Sequence, residues 1–180
     1  MTGWDEPSLA RLRAAAYRWD GAAGMDVLRD RPLGPVLQYA GDVLVAALEQ
    51  DVPGAAAMAR KCLEELDGRG LPGDAELAGD LSAALGAPRG PEPARVPVDL
   101  GALAAALDEP GPHAVDLRTG DVVPADEAGA SFTDGLRYEP ERWLVLWGEP
   151  GGDRGDEDRR RGRARRWLAE HGCRPGPRTL

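Results

Sequence analysis

Four carboxylates crowd the stretch HAVDLRTGDVVPADE, His113 to Glu127: Asp116, Asp121, Asp126 and Glu127. A hard cation such as Mg²⁺ takes oxygen ligands of this kind, so a metal-dependent enzyme is one chemistry on offer. The plainer reading, which the sequence favours, is a hairpin whose charges face water. In it Gly120 supplies a positive φ and Asp116 bonds the turn backbone, as Asp side chains do. A second candidate is cationic. Arg159, Arg163 and Arg166 fall at i, i+4, i+7 and form one basic stripe, the arrangement that a phosphate backbone or an acidic protein would need. Its plainer reading is the solvated face of an amphipathic helix, with the acids of the first half of the chain as an internal partner. The candidate interaction surface is therefore Arg159, Arg163 and Arg166 together with Asp116 and Asp121.

Other chemistries find little support. A Ser-His-Asp arrangement needs a nucleophile on a sharp turn beside a base. Only Ser8, Ser82 and Ser131 are available, none within GxSxG, and the histidines are His113 and His171 alone. No phosphate-binding G-x-x-x-x-G-K-[ST] occurs, and Asp153, Asp156 and Asp158 lack the spacing of a calcium loop. Cys62 and Cys173 stand apart from each other and from any His cluster, which predicts neither a disulfide framework nor a zinc site. No catalytic residue, metal ligand or cofactor is assigned.

Composition narrows the function further. The net charge of −9 over 180 residues argues against a general nucleic-acid binder, because neutralising phosphates needs surplus basic surface. The distribution is uneven: nine arginines stand against four acids between Arg154 and Arg178. Ile and Asn are absent and Lys61 is the only lysine, a bias that points to a GC-rich bacterial genome. The run VLVAAL at 43–48 is too short to span a bilayer. MTGWDEPS lacks the basic and apolar regions of a secretory signal, so a cytoplasmic protein without membrane association is expected.

The elements that would position these residues are legible as two halves. Asp5 and Pro7 offer a helix start, followed by Leu9, Leu12, Ala16 and Trp19 at helical spacing, with Gly21 and Gly24 ending the segment. Residues 34–50 carry the clearest apolar stripe, from Val36 to Leu48. Asp51 and Pro53 read as the start of the next helix, with Met58, Ala59, Cys62, Leu63 and Leu66 on one face. Asp74 reads as the cap of a third, bearing Leu77, Leu81, Ala84 and Leu85. These segments predict a small helical bundle at 1–86. The Pro- and Gly-rich 87–97 reads as a linker.

Beyond the linker the period changes. Asp99 caps a short helix with Leu100, Leu103 and Leu107 inward. Val115 and Leu117 alternate with Asp116 and Arg118, predicting a strand with one buried face and a tight return through Thr119 and Gly120. RWLVLW (142–147) is apolar on both sides, which predicts a central or helix-covered strand whose Trp143 and Trp147 belong to the core; were they exposed, they would mark an interface. A closing helix starts near Asp156, with acids in its first turn, Asp156/Arg160 and Glu157/Arg161 at i,i+4, and Ala164, Trp167 and Leu168 inward.

The pattern VDLGALAAAL…AVDLRTGDVV…ERWLVL, closed by RARRWLAEHGCRP, resembles the uncharacterised protein family 0158 over residues 98–175. The resemblance implies a bacterial α+β domain in which a short helix precedes a strand, a Thr-Gly turn and a return strand. It implies no reaction and no ligand. Members usually carry a longer segment before the last helix, which this chain reduces to a Gly/Asp/Arg loop. The expected fold is thus α+β: a helical bundle, then a short helix, a hairpin with at least one further strand, and an amphipathic helix. The expected function is a non-catalytic accessory or protein-interaction module, with another protein as partner. Nucleic-acid association through the arginine helix, and a metal-dependent enzyme using the hairpin acids, are the alternatives.

Overall fold

The structure, a computed structural model, describes residues 3–126, 142–149 and 156–178. The chain divides into two compact units, Met1–Glu92 and Pro93–Leu180. The fold is α+β, with helices in the first unit and helices plus short strands in the second.

In the first unit α1 (Glu6–Arg18) opens where expected, because the Asp5 side chain accepts the Ser8 N–H at 2.8 Å and satisfies an otherwise orphaned donor. Gly21 and Gly24 do not end this segment. They lie inside a further helix, α2 (Gly21–Leu28), capped by Asp20 through the Ala23 N–H. The two glycines serve packing: a Cβ at Gly21 would meet the backbone of Ala47, and one at Gly24 the side chain of Val43. Helix α2 thereby approaches α3 (Leu37–Glu49) closely, an opportunity that a propensity reading treats only as a break.

The α3 stripe proves to be more than a stripe. Every residue from Leu37 to Ala47 is buried, since α1, α2, α4 (Ala55–Arg69) and α5 (Asp74–Ala84) all pack on this helix. Two expected caps are not caps. Asp51 stands at φ 54 outside the helix and Gly54 occupies the α4 cap position; Gly73 occupies that of α5. Asp74 sits one residue inside, where its carboxylate accepts from Arg69, the Leu71 N–H and Gln38 at 2.7–3.0 Å. Burial raises its pKa, but these donors outweigh burial and hold the carboxyl below its ordinary value.

In the second unit β1 (Ala94–Val96), which falls within the stretch read as linker, pairs in parallel with β5 (Cys173–Pro175). Helix α6 (Leu100–Asp108) is capped by Asp99 as expected. Strands β2 (Gly111–Asp116), β3 (Val122–Pro124) and β4 (Trp143–Gly148) form an antiparallel sheet in the order β3-β2-β4. The expectation of one buried face on β2 fails, because the strand is central and His113, Ala114, Val115 and Asp116 are all buried. RWLVLW is not central, since among the described residues β4 flanks β2 alone, but it is helix-covered on one face, the other alternative. Its Leu146 enters a core with Val96, Leu100, Leu103, Val115, Ala164 and Leu168, the last two from α7 (Glu157–Glu170).

The hairpin turn is tied to the rest of its unit. Gly120 has φ 79, and a Cβ there would run into the Pro97 carbonyl, so the position needs both the backbone freedom and the missing side chain of glycine.

Candidate functional site

The hairpin acids do not gather. Asp116 is buried, contrary to the expectation that the charges around Gly120 all face water. Its Oδ2 accepts from Arg142 Nη2 at 2.8 Å and Nε at 3.1 Å, while Oδ1 accepts the Arg118 N–H at 2.9 Å, the turn-backbone bond foreseen in the sequence. Burial raises the Asp116 pKa, yet the Arg142 and turn hydrogen bonds lower it further, so the carboxyl stays below the ordinary range. Asp121 does face water, accepting from Thr119 Oγ1 at 2.8 Å and from Arg178 at 3.3 Å. Asp126 is exposed, and Glu127 lies outside the described residues. Among the described residues no three His, Cys, Asp or Glu side chains converge to hold a metal ion.

The other reactive groups are equally occupied. Ser8 is buried in the first turn of α1, and Ser131 lies outside the described residues. His113 is buried on β2 with Nε2 3.4 Å from Glu109, and His171 packs on Trp167 with ring centroids 4.2 Å apart. Burial pushes the Cys173 thiol up, away from the thiolate a nucleophile requires.

The arginine stripe is present but committed. Arg163 Nη2 lies 2.8 Å from Asp108 Oδ1, and Arg160 Nε lies 2.7 Å from the other oxygen of the same carboxylate. The expected Asp156/Arg160 pair is therefore replaced: Asp156 caps α7 through the Arg159 N–H and pairs with the Arg159 guanidinium at 3.2 Å. Arg166 pairs with Glu170 at 3.4 Å. Asp108, Asp156 and Glu170 of its own unit thus pair with the stripe. Arg161, Arg165 and Arg174 are buried. Charge counting along the sequence could not show this, because the partner Asp108 is fifty-odd residues away.

The tryptophans depart furthest from expectation. Trp4 and Trp19 are partly buried, with their indole N–H groups donating to the Pro32 carbonyl and to Glu49. Trp143 is half-buried, with the Arg142 guanidinium 5.2 Å from its ring centre. Trp147 is 72% exposed and Val145 38%. Both alternate with Leu144 and Leu146, so β4 turns its leucines toward α6 and α7 and its Val145 and Trp147 away. Trp147 nevertheless borders a shallow groove of about 280 Å³ with Leu107, Trp167, Arg163, Arg166, Glu149 and Glu170. Its floor is fixed, since the Glu149 N–H donates to the Leu107 carbonyl at 2.9 Å and Gly148 fits against the Ala106 and Glu109 carbonyls, where no Cβ could sit.

Chemically, this groove offers an aromatic surface between two arginines and two glutamates. It is open to solvent and smaller than the roughly 300–1,000 Å³ of sites that enclose a small molecule. It offers no nucleophile and no activated base. A second groove of similar size, between α1 and α2, is lined by alanines with Arg11, Arg18, Asp20 and Asp26 and has no aromatic side chain. The sequence assigned Trp147 and Trp167 to the interior; Trp167 does pack against the core, whereas Trp147 is exposed, and Glu149 and Glu170 carried no signal until the groove assembled them. No helix among the described residues is long and apolar enough to cross a membrane. Compared with known proteins, the chain matches no family model, no curated protein and no solved structure.

Proposed function

We propose that this protein is a non-catalytic interaction module that binds another protein through the Trp147–Trp167 face. The observation that carries the reading is the 72% exposure of Trp147, a large apolar side chain on a strand whose other face is anchored in the core. Aromatic residues flanked by arginine are what protein interfaces concentrate at their centres, because they supply contact area at small conformational cost. The rigid backing from Leu107 and Gly148 keeps that cost low, since little remains to be ordered on binding. Nucleic-acid association is the weaker proposal, because Asp108 engages Arg160 and Arg163 and leaves few guanidiniums for phosphates. The resemblance of residues 98–175 to family 0158 belongs to the same proposal. It is supported by the short helix, strand, Thr-Gly turn and return strand formed between Leu100 and Pro124.

The test is cross-linking from a photoreactive group placed at position 145, beside Trp147, in cells that make the protein. A discrete protein adduct that disappears on Trp147→Ser is expected. Adducts that are diffuse, or unchanged by Trp147→Ser, contradict the proposal.

A further inference from the structure

We propose that residues 173–178, the segment that follows α7, form a latch that opens without unfolding its unit and so governs access to the Cys173 thiol. This conformational device goes beyond the contact face and does not rest on it. Strand β5 has three residues and, among the described residues, pairs only with the three of β1. A two-stranded sheet this short is marginal by itself, and parallel pairing is the weaker kind. Pro175 has no N–H to give to it. The pairing is closed at its two ends by the Ala94 N–H on the Gly172 carbonyl and the Gly176 N–H on the Val96 carbonyl, both at 2.9 Å. Further out, Arg178 reaches Asp121 of the hairpin turn at 3.3 Å, an ion pair whose acid is 59% exposed.

The hinge is Gly172, exposed, with φ 71 and nothing within 4 Å of where a Cβ would stand. It follows α7 in the left-handed conformation, so rotation there swings the segment away while the helix stays whole. The neighbours hold without the segment. Ala164 and Leu168 of α7 lie in one core with Leu100 and Leu103, and Asp108 binds Arg160 and Arg163 at 2.7 and 2.8 Å. The hairpin keeps its fit of Gly120 against the Pro97 carbonyl, just past β1. What closes the latch is the burial of Cys173 in the core that holds Val96, where it is 6% exposed. Burial also pushes the thiol's pKa up, so the closed protein keeps it protonated as well as out of reach. Opening removes both protections at once, and the thiol reacts only as often as the latch permits.

The experiment follows N-ethylmaleimide labelling of Cys173, read by peptide mass spectrometry, and backbone hydrogen exchange in the same full chain, both across urea concentrations below unfolding. Cys173 labelling and exchange of the Ala94 and Gly176 amides should share one opening that responds weakly to urea, because little surface is exposed. The β2 amides should open at least about tenfold more rarely, with the steep urea dependence of unfolding. Arg178→Gln should speed labelling by about two- to fivefold through the lost ion pair. Gly172→Ala, which strains the closed hinge, should speed it by about tenfold. Labelling that tracks β2 exchange with the same urea dependence overturns the proposal, since the segment would then open only with its unit. Rapid labelling indifferent to both substitutions overturns it too, because the reagent would be reaching the thiol through the closed surface. So does reaction of Cys173 while the Ala94 and Gly176 amides stay protected.

Discussion

Asp116 and Arg142 meet across the β2–β4 boundary at 2.8 Å, with the carboxylate buried and the guanidinium about one-third exposed. The pair holds the end of the central strand to the start of β4, the strand that presents Trp147. Removing the charge by Asp116→Asn takes away the ionic partner that Arg142 meets at 2.8 Å and should cost about 1–3 kcal/mol at neutral pH, read from denaturant unfolding.

The same carboxylate sets a pH dependence. Asp74, Asp108 and Asp116 all have pKa values below the ordinary 3.8: burial raises each, but their arginine partners, joined at Asp74 and Asp116 by backbone N–H donors, outweigh it. A depressed folded pKa gives stability that is full above the unfolded value and is lost as pH falls through the folded one. Stability should therefore hold from neutral pH to about 5 and decline below about 4. The gap between the unmodified chain and Asp116→Asn should close over that acid range. A gap that persists unchanged to the lowest measurable pH would show that the carboxylate's charge is not what stabilises.

Asp108 draws two arginines of the cationic helix onto one carboxylate. Asp108→Ala removes the carboxylate shared by Arg160 and Arg163 and should lower unfolding free energy by about 1–2 kcal/mol. The variant should also gain salt-sensitive retention on a polyanion such as heparin, where the unmodified chain elutes early. Equal retention of the two would mean that the arginines are available despite Asp108.

The glycines separate into packing and indifferent positions. Gly21→Ala and Gly24→Ala should each destabilise by about 1–3 kcal/mol, because α3 occupies the space a Cβ needs. Gly120→Ala combines positive φ with the Pro97 carbonyl and should cost about 2–4 kcal/mol. Gly68→Ala, in α4 with nothing within 4 Å of the new Cβ, should instead stabilise by roughly 0.5–1 kcal/mol. Denaturation midpoints of the four variants decide the matter.

Much of this architecture was legible in the sequence because it is local. Asp5, Asp99 and Asp156 cap the helices they precede, and the stripe of α3 and the leucines of α6 mark elements by periodicity alone. The failures share one cause, a dependence on residues distant along the chain. Gly21 reads as a terminator until α3 is laid against it. Asp74 reads as a cap until Gln38 and Arg69 reach it. The alternation of β4 reveals two apolar faces but not which is covered. That depends on α6 and α7, which claim Leu146 and leave Trp147 to solvent. The arginine stripe was visible, whereas the acid that pairs with two of the α7 arginines lies at the end of another helix. Composition likewise placed tryptophan in the core, where four of the five are at least partly sheltered.

The most direct measurement pairs stability with association in Trp147→Ser. An exposed recognition residue contributes to contact and little to folding, so the unfolding free energy should change by less than about 0.5 kcal/mol while association is lost. A fall of about 3 kcal/mol or more, the cost of emptying a core site, would return Trp147 to the interior. Intact association in a fully folded variant would remove this face as the working surface of the protein.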